Sequence, residues 1–360
     1  MSKPQVLFLG DLNEDLPTYQ QFKSKYEILN YKLTTREQFI NDLDSKFSNI
    51  VAIYASWLGF MPIGGIRQVI SHIPDSLKVV SFCSVGYDHE DSKILADKGI
   101  VMTNVPADFA AEPVSDLVLY LTIASFRQFQ MYSHIANVPH TIDYRYKLAQ
   151  GEFDKEKGAV GLASGEKYHF GQYISKRPNL SPMGHNVVII GFGKIGQKIG
   201  KKLNDIGMNV NYVKRNKLEK EKEEELGYPV RYYKKLEEVE GDVDLIVIAA
   251  PSTPETQHLI NENIINGFKK PIRIINIGRG SIIDEKALIA GLKSGKVLFA
   301  GLDVFENEPH INPELLNRQD VILTPHIGAS TVENFDYTAV QALKNIEYVI
   351  EKGKAINPVY

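Results

Sequence analysis

The chain has almost no cysteine. One residue, Cys83, among 360 excludes an intramolecular disulfide framework and a structural four-cysteine zinc site. A lone thiol also fits a reducing compartment. Tryptophan is equally scarce, with only Trp57. No apolar run approaches the roughly 18 residues of a membrane span. A surplus of either charge is missing too. The formal net charge is −3, from 41 Lys and Arg against 44 Asp and Glu, so no global basic field favours nucleic acid or an anionic membrane. The apolar run 6–9 is too short for a signal-peptide core, and residues 357–360 carry no retention, peroxisomal or prenylation signal. The expected compartment is the cytoplasm. The expected partners are small molecules, and no metal site is expected.

What is present is ordinary for a globular protein: 43% apolar and 24% charged residues. A chain of this length suggests two domains or one large one. Apolar runs at 6–9, 50–54, 79–82 and 100–103 read as buried strands, and 18–22, 67–72 and 91–98 read as helical. Strands alternating with helices argue for a mostly parallel, doubly wound sheet. No glycine-rich phosphate loop follows the first strand. Pro113 is expected to open a long apolar helix over 114–130. Residues 137–184 have few aliphatic clusters and many Gly, Lys, Tyr and His, which points to a functional excursion, an oligomer contact or disorder. The alternation then resumes. Strands are expected at 187–190, 209–213, 245–249, 272–277, 298–301 and 321–324, with helices at 194–205, 219–225 and 330–352. The charged run 219–225 reads as a solvated face.

The strand at 187–190 runs into Gly191-Phe192-Gly193-Lys194-Ile195-Gly196 and then a helix. Gly191 permits the tight turn, Gly193 lets the backbone approach a pyrophosphate, and Gly196 lets the helix pack close. The helix start offers N–H groups and a positive dipole end to phosphates. An NAD site usually shows Asp or Glu about 20 residues on. Here no carboxylate occurs between Asp205 and Glu219, and Lys214-Arg215-Asn216-Lys217 follows the next strand. That composition suits a ribose 2′-phosphate. The expected cofactor is NADP, with NAD as the alternative.

Three more segments follow predicted strands: Asn276-Ile277-Gly278-Arg279-Gly280, Gly301-Leu302-Asp303-Val304-Phe305-Glu306-Asn307-Glu308-Pro309, and Thr324-Pro325-His326-Ile327-Gly328. With the glycine loop, these resemble the D-isomer-specific 2-hydroxyacid dehydrogenase family over most of 75–355. Within it, the chain is most similar to fungal D-mandelate dehydrogenase-like and glyoxylate reductase-like members. The chemistry of reducing a 2-oxo acid explains the residue types. Arg279 has the planar fork suited to a carboxylate. His326 offers an imidazole, a side chain suited to protonating an alkoxide. Glu308 can orient His326 and stabilise its protonated form. His185, His258 and His310 read as structural or surface residues. The resemblance implies that Asp303 helps place the nicotinamide, and that backbone N–H groups at Val85 and Gly86 grip the substrate carboxylate. Trp57, after the second expected strand, is placed to meet the substrate side chain.

The resemblance implies an α/β chain of two doubly wound parallel-sheet domains. Residues 1–106 and 329–360 form a flavodoxin-like substrate domain, and 107–328 a Rossmann dinucleotide-binding domain. The active site is expected in the cleft between them, with hinges near Pro106 and Ala329 and a homodimer as the assembly. The expected activity is reduction of a 2-oxo acid, of the glyoxylate and hydroxypyruvate reductase kind, to a D-2-hydroxy acid. Only the resemblance indicates the stereochemistry. Two alternatives stand beside it. A formate dehydrogenase relative is disfavoured by Glu308, where that branch has Gln. A dinucleotide-sensing corepressor on the same scaffold can keep all three residues.

Overall fold

Short apolar runs flanked by turns and helices become strands in the computed structural model of the chain, which describes all residues except 1, 88–89, 134–138, 162–168, 240–241 and 360. The chain divides into two units, Met1–Ala110 with Ser330–Tyr360, and Ala111–Ala329. Sequence reading puts these divisions at 106 and 328.

The first unit holds strands β1 (Gln5–Leu9), β2 (Glu27–Tyr31), β3 (Ile50–Ala55), β4 (Val79–Phe82) and β5 (Val101–Thr103). They pair in the order β2-β1-β3-β4-β5, all parallel, which is the flavodoxin-like order. Successive side chains of β1 point to opposite faces, and both faces are covered. Leu7 and Leu9 pack with Phe39, Ile53 and Phe60, while Val6 and Phe8 pack with Phe22, Tyr54 and Leu343. The helix Val332–Lys352 returns to this unit. It is capped by the Thr331 hydroxyl, and it buries Ala339, Ala342, Leu343, Ile346 and Val349, the spacing of one helical stripe.

In the second unit, four two-residue strands come first: β6 (Phe153–Asp154), β7 (Ala159–Val160), β8 (Tyr173–Ile174) and β9 (Arg177–Pro178). They form two antiparallel pairs, β6 with β7 and β8 with β9. The main strands are β10 (Asn186–Ile190), β11 (Asn209–Val213), β12 (Val230–Tyr233), β13 (Leu245–Ile248), β14 (Ile272–Asn276), β15 (Val297–Leu302) and β16 (Val321–Leu323). Their order is β12-β11-β10-β13-β14-β15-β16, all parallel. Both faces of such a sheet are buried, so central strands read as continuous apolar runs. All five residues of β14 are buried. The expected α/β class with two doubly wound sheets is therefore what forms.

Several expectations need correction. The helix expected from Pro113 spans Ala111–Arg127. Proline sits at its third residue, where the backbone N–H would lack an intrahelical partner in any case. The segment 67–72 is a 3₁₀ helix, Ile66–His72. Strands β2 and β12 have no counterpart among the expected elements. In the 137–184 region, positions 137–138 and 162–168 lie outside the described residues. The rest holds a helix, Thr141–Gln150, and the two small strand pairs. The buried Arg318 ties this region to the sheet. It pairs with Asp320 at 2.9 Å and donates to the carbonyls of Glu156 and Lys155, each at 2.9 Å. Among the described residues, no helix is long and apolar enough to cross a membrane. None of their His, Cys, Asp and Glu side chains form a group of three or more that could hold a metal.

Candidate active site

All strands of the larger sheet run the same way, so their carboxyl ends share one edge. The strand order reverses between β10 and β13, and that is where an open α/β sheet binds ligands. The glycine loop leaves β10 at this point. Gly191 has a φ of 88°, and a Cβ there would lie 2.7 Å from the Ala249 carbonyl oxygen. A Cβ on Gly196 would lie 2.2 Å from the Gly191 oxygen, so the helix starts directly against the turn. At Gly193, chain neighbours aside, a Cβ would meet no atom of the described residues within 4 Å. The helix Lys194–Asp205 begins there with no side-chain cap, presenting first-turn amides. A close turn, an open Gly193 and an uncapped helix start fit a pyrophosphate.

Phe192 is buried and stacked on Tyr212, with ring centroids 4.3 Å apart, so toward a dinucleotide it presents main chain. Ile195 is half-buried against the core beside it, and Lys194 is exposed.

Beyond β11, Lys214 is half-buried, and Arg215 and Asn216 are exposed. Lys217 is committed elsewhere, to Glu223 at 3.2 Å. Three cations in the sequence thus become two at this strand end. Glu255 lies below the ordinary glutamate range, held there first by a hydrogen bond from Thr253 and in smaller part by the Arg215 charge.

The remaining segments follow β14, β15 and β16, which are neighbours in the sheet. At the end of β14, the buried Asn276 side chain accepts from the Gly278 amide at 3.0 Å and donates to the Arg279 carbonyl at 2.9 Å. This clamp sets the turn that carries Arg279, and sequence reading gave Asn276 no role. The Arg279 side chain is half-buried, with Nη1 donating to the Gly278 carbonyl at 2.7 Å.

After β15, Glu308 accepts from the Phe305 amide at 2.9 Å through Oε1. Its Oε2 lies 3.1 Å from His326 Nδ1. Burial pushes the Glu308 carboxyl up. The His326 hydrogen bond, the Phe305 amide and the charges of His326 and Arg279 outweigh that and hold it below the ordinary range. Arg279, Glu308 and His326 are therefore electrostatic neighbours.

His326 has a φ of 55°, a left-handed conformation uncommon for a non-glycine residue. Asp303 holds it in place. Its carboxylate is 2% exposed and accepts from the Thr324 hydroxyl at 2.7 Å, the Ile327 amide at 2.9 Å and the Gly328 amide at 2.8 Å. What Asp303 visibly does is fasten the loop around His326.

The other expected substrate residues belong to the first unit. Trp57 follows β3 and is 57% exposed, not part of the core. Val85 and Gly86 lie after β4. Their carbonyls accept from Asn104 at 2.8 Å and from Ser84 at 2.7 Å, while their amides make no hydrogen bond among the described residues. Asp88, two residues beyond Gly86, lies outside the described residues. Of the other histidines, His185 lies 3.1 Å from Asp244 and against the Phe126 ring. His310 is exposed.

Residues 163–328 match the family profile described as D-isomer specific 2-hydroxyacid dehydrogenase, NAD binding domain. A 4-methyl-2-oxopentanoate reductase A from Aspergillus oryzae is 30% identical over 99% of this chain and 98% of its own length. The holo crystal structure of Rhodotorula graminis D-mandelate dehydrogenase superposes with a TM-score of 0.82, at 29% identity, over 100% of this chain and 98% of that one. An NADPH-dependent glyoxylate/hydroxypyruvate reductase from Sinorhizobium meliloti, crystallised with NADP and malonate, gives a TM-score of 0.74 at 26% identity, over 99% and 97%.

Proposed function

The chain belongs to the D-isomer-specific 2-hydroxyacid dehydrogenase family of NAD(P)-dependent oxidoreductases, and on that premise we propose that it reduces a 2-oxo acid to a D-2-hydroxy acid with NADPH. The observation that carries this reading is the Glu308–His326 contact beside Arg279, at three adjacent strand ends. Arg279 pairs with the substrate carboxylate and polarises the carbonyl. The bound dinucleotide supplies the hydride. His326 is turned to Glu308 through Nδ1, so it delivers the proton to the carbonyl oxygen from Nε2. Glu308 fixes the ring and stabilises the imidazolium before transfer.

The glycine loop Gly191–Gly196 would hold the pyrophosphate through its amides, with Phe192, Lys194 and Ile195 contributing main chain at the helix start. Asp303 would act near the nicotinamide. The preference for NADPH is supported by Lys214, Arg215 and Asn216 at the end of β11. Neither the Lys214 nor the Arg215 side chain makes a hydrogen bond or ion pair among the described residues. Two charge-assisted contacts to a 2′-phosphate, at roughly 1.5–3 kcal/mol each, are ample for a strong preference. Arg215→Ala is expected to raise the KM for NADPH and spare that for NADH. Equal changes for both would remove the argument.

Val85 and Gly86 enter the proposal through their amides, and Trp57 through its exposed ring, as substrate residues. A homodimer belongs to the same reading. It is supported by Phe170 and Met183, 76% and 70% exposed in the 137–184 region, and sedimentation tests it. The deciding experiment is a panel of glyoxylate, hydroxypyruvate, phenylglyoxylate and branched 2-oxo acids, each assayed with NADPH and with NADH. No turnover on any of them would overturn the reading.

A further inference from the structure

His258 looks unremarkable in the sequence, and its side chain is 41% exposed, yet both its backbone and its ring are engaged beside the site. It lies in the loop after β13 with a φ of 48°. Its amide donates to the Ser281 carbonyl at 2.9 Å, two residues beyond Arg279. Its Nε2 lies 2.5 Å from Glu306 Oε1, two residues before Glu308. Glu306 is engaged a second time. Its amide donates to Glu285 Oε1 at 2.9 Å, and the Glu285 amide donates back to Glu306 Oε2 at 3.2 Å. Gly280 lies flat against this same segment, because a Cβ there would come within 1.9 Å of the Phe305 carbonyl group. The hydroxyls of Ser252 and Ser281 meet at 2.9 Å.

These contacts close a ring. The turn carrying Arg279 is gripped on one side by the His258 backbone and on the other by Phe305–Glu306. The His258 imidazole joins the two grips. The gripped segment continues to Glu308, which holds His326.

We propose that His258 is a positioning residue for the reaction: through Glu306 it fixes the spacing between the Arg279 guanidinium and the Glu308–His326 pair. The proposal rests on the reading above, in which Arg279 binds the substrate carboxylate. A misplacement of about 1 Å in such a site can cost as much as 10²-fold in rate.

The test uses His258→Ala, His258→Asn and His258→Gln beside Arg279→Ala in the full chain. Asparagine tolerates the left-handed backbone but is too short to keep the contact with Glu306, so it separates lost contact from backbone strain and serves if the alanine variant does not fold. Glutamine keeps a donor long enough to reach. The expected result is a KM for the 2-oxo acid raised about tenfold in the Ala and Asn variants, with the dinucleotide Kd unchanged within about twofold and the Gln variant restored to within about threefold. If His258→Asn leaves kcat and KM at wild-type values while Arg279→Ala raises KM, this inference fails alone. If glutamine restores nothing, it also fails. If Arg279→Ala leaves KM unmoved, the reading beneath it fails.

Discussion

His326 combines two features that its residue type alone does not supply: a left-handed backbone and a carboxylate at Nδ1. The backbone conformation costs on the order of 1–3 kcal/mol unless its surroundings impose it. Three hydrogen bonds to Asp303 impose it here. His326→Ala is expected to cut turnover by roughly 10²–10⁴ while the dinucleotide still binds, measured by steady-state rates and by cofactor fluorescence. Near-normal turnover would reassign the proton donor. Two glycine variants separate folding from binding. Gly193→Ala adds a methyl group that, its chain neighbours aside, meets no atom of the described residues within 4 Å, so Tm is expected to stay near wild type while dinucleotide affinity falls at least tenfold. Gly280→Ala drives a methyl into the Phe305 carbonyl. It is expected to lose soluble expression or to unfold far below the wild-type Tm. Arg279, Glu308 and His326 could be picked out in the sequence because their side chains define the chemistry. Asn276 could not, because its partners become visible only once the turn is folded.

At the scale of elements, packing of the helix Ala111–Arg127 on the helix Lys194–Asp205 brings Glu112 to Lys198 and Lys202, each at 2.8 Å. Hydrogen bonds from Lys198 and then Lys202 lower the Glu112 carboxyl to about 2. A lowered acid stabilises the fold above its unfolded pKa, and that contribution is lost as pH falls through the folded value. The Tm deficit of Glu112→Gln should therefore be present at pH 7 and shrink from about pH 4.3 downward, vanishing near pH 2. A deficit independent of pH would mean the glutamate acts through shape alone. Central strands could be placed from sequence because burial on both faces makes them uninterrupted apolar runs. β2 and β12 escaped because these edge strands are interrupted by exposed polar residues such as Glu27, Asn30 and Arg231, whereas the edge strands β5 and β16 keep mostly buried residues. There one face meets water, and the apolar signal is diluted.

For the whole molecule, a ligand that binds only the folded state stabilises it by mass action. NADPH at one hundred times its Kd should add about 2.7 kcal/mol, or about 5–10 °C in Tm for a cooperative unit of some 150–250 residues. NADH at the same concentration should add less. Arg215→Ala should shrink the difference, which scanning calorimetry reads directly.

The α/β class, the glycine loop, the missing ribose carboxylate and the identities of Arg279, Glu308 and His326 were all determined by the order of residues. Each is a matter of side-chain type or local spacing, which a linear chain already contains. Tertiary structure decided which groups meet. It removed Lys217 to Glu223, committed Asp303 to the His326 loop, exposed Trp57 and brought His258 to Glu306. Those pairings join segments as far as 48 residues apart. The longer-range ones exist because parallel strands bring distant turns to one edge, where buried or half-buried carboxylates must find donors or lose the free energy of their hydration.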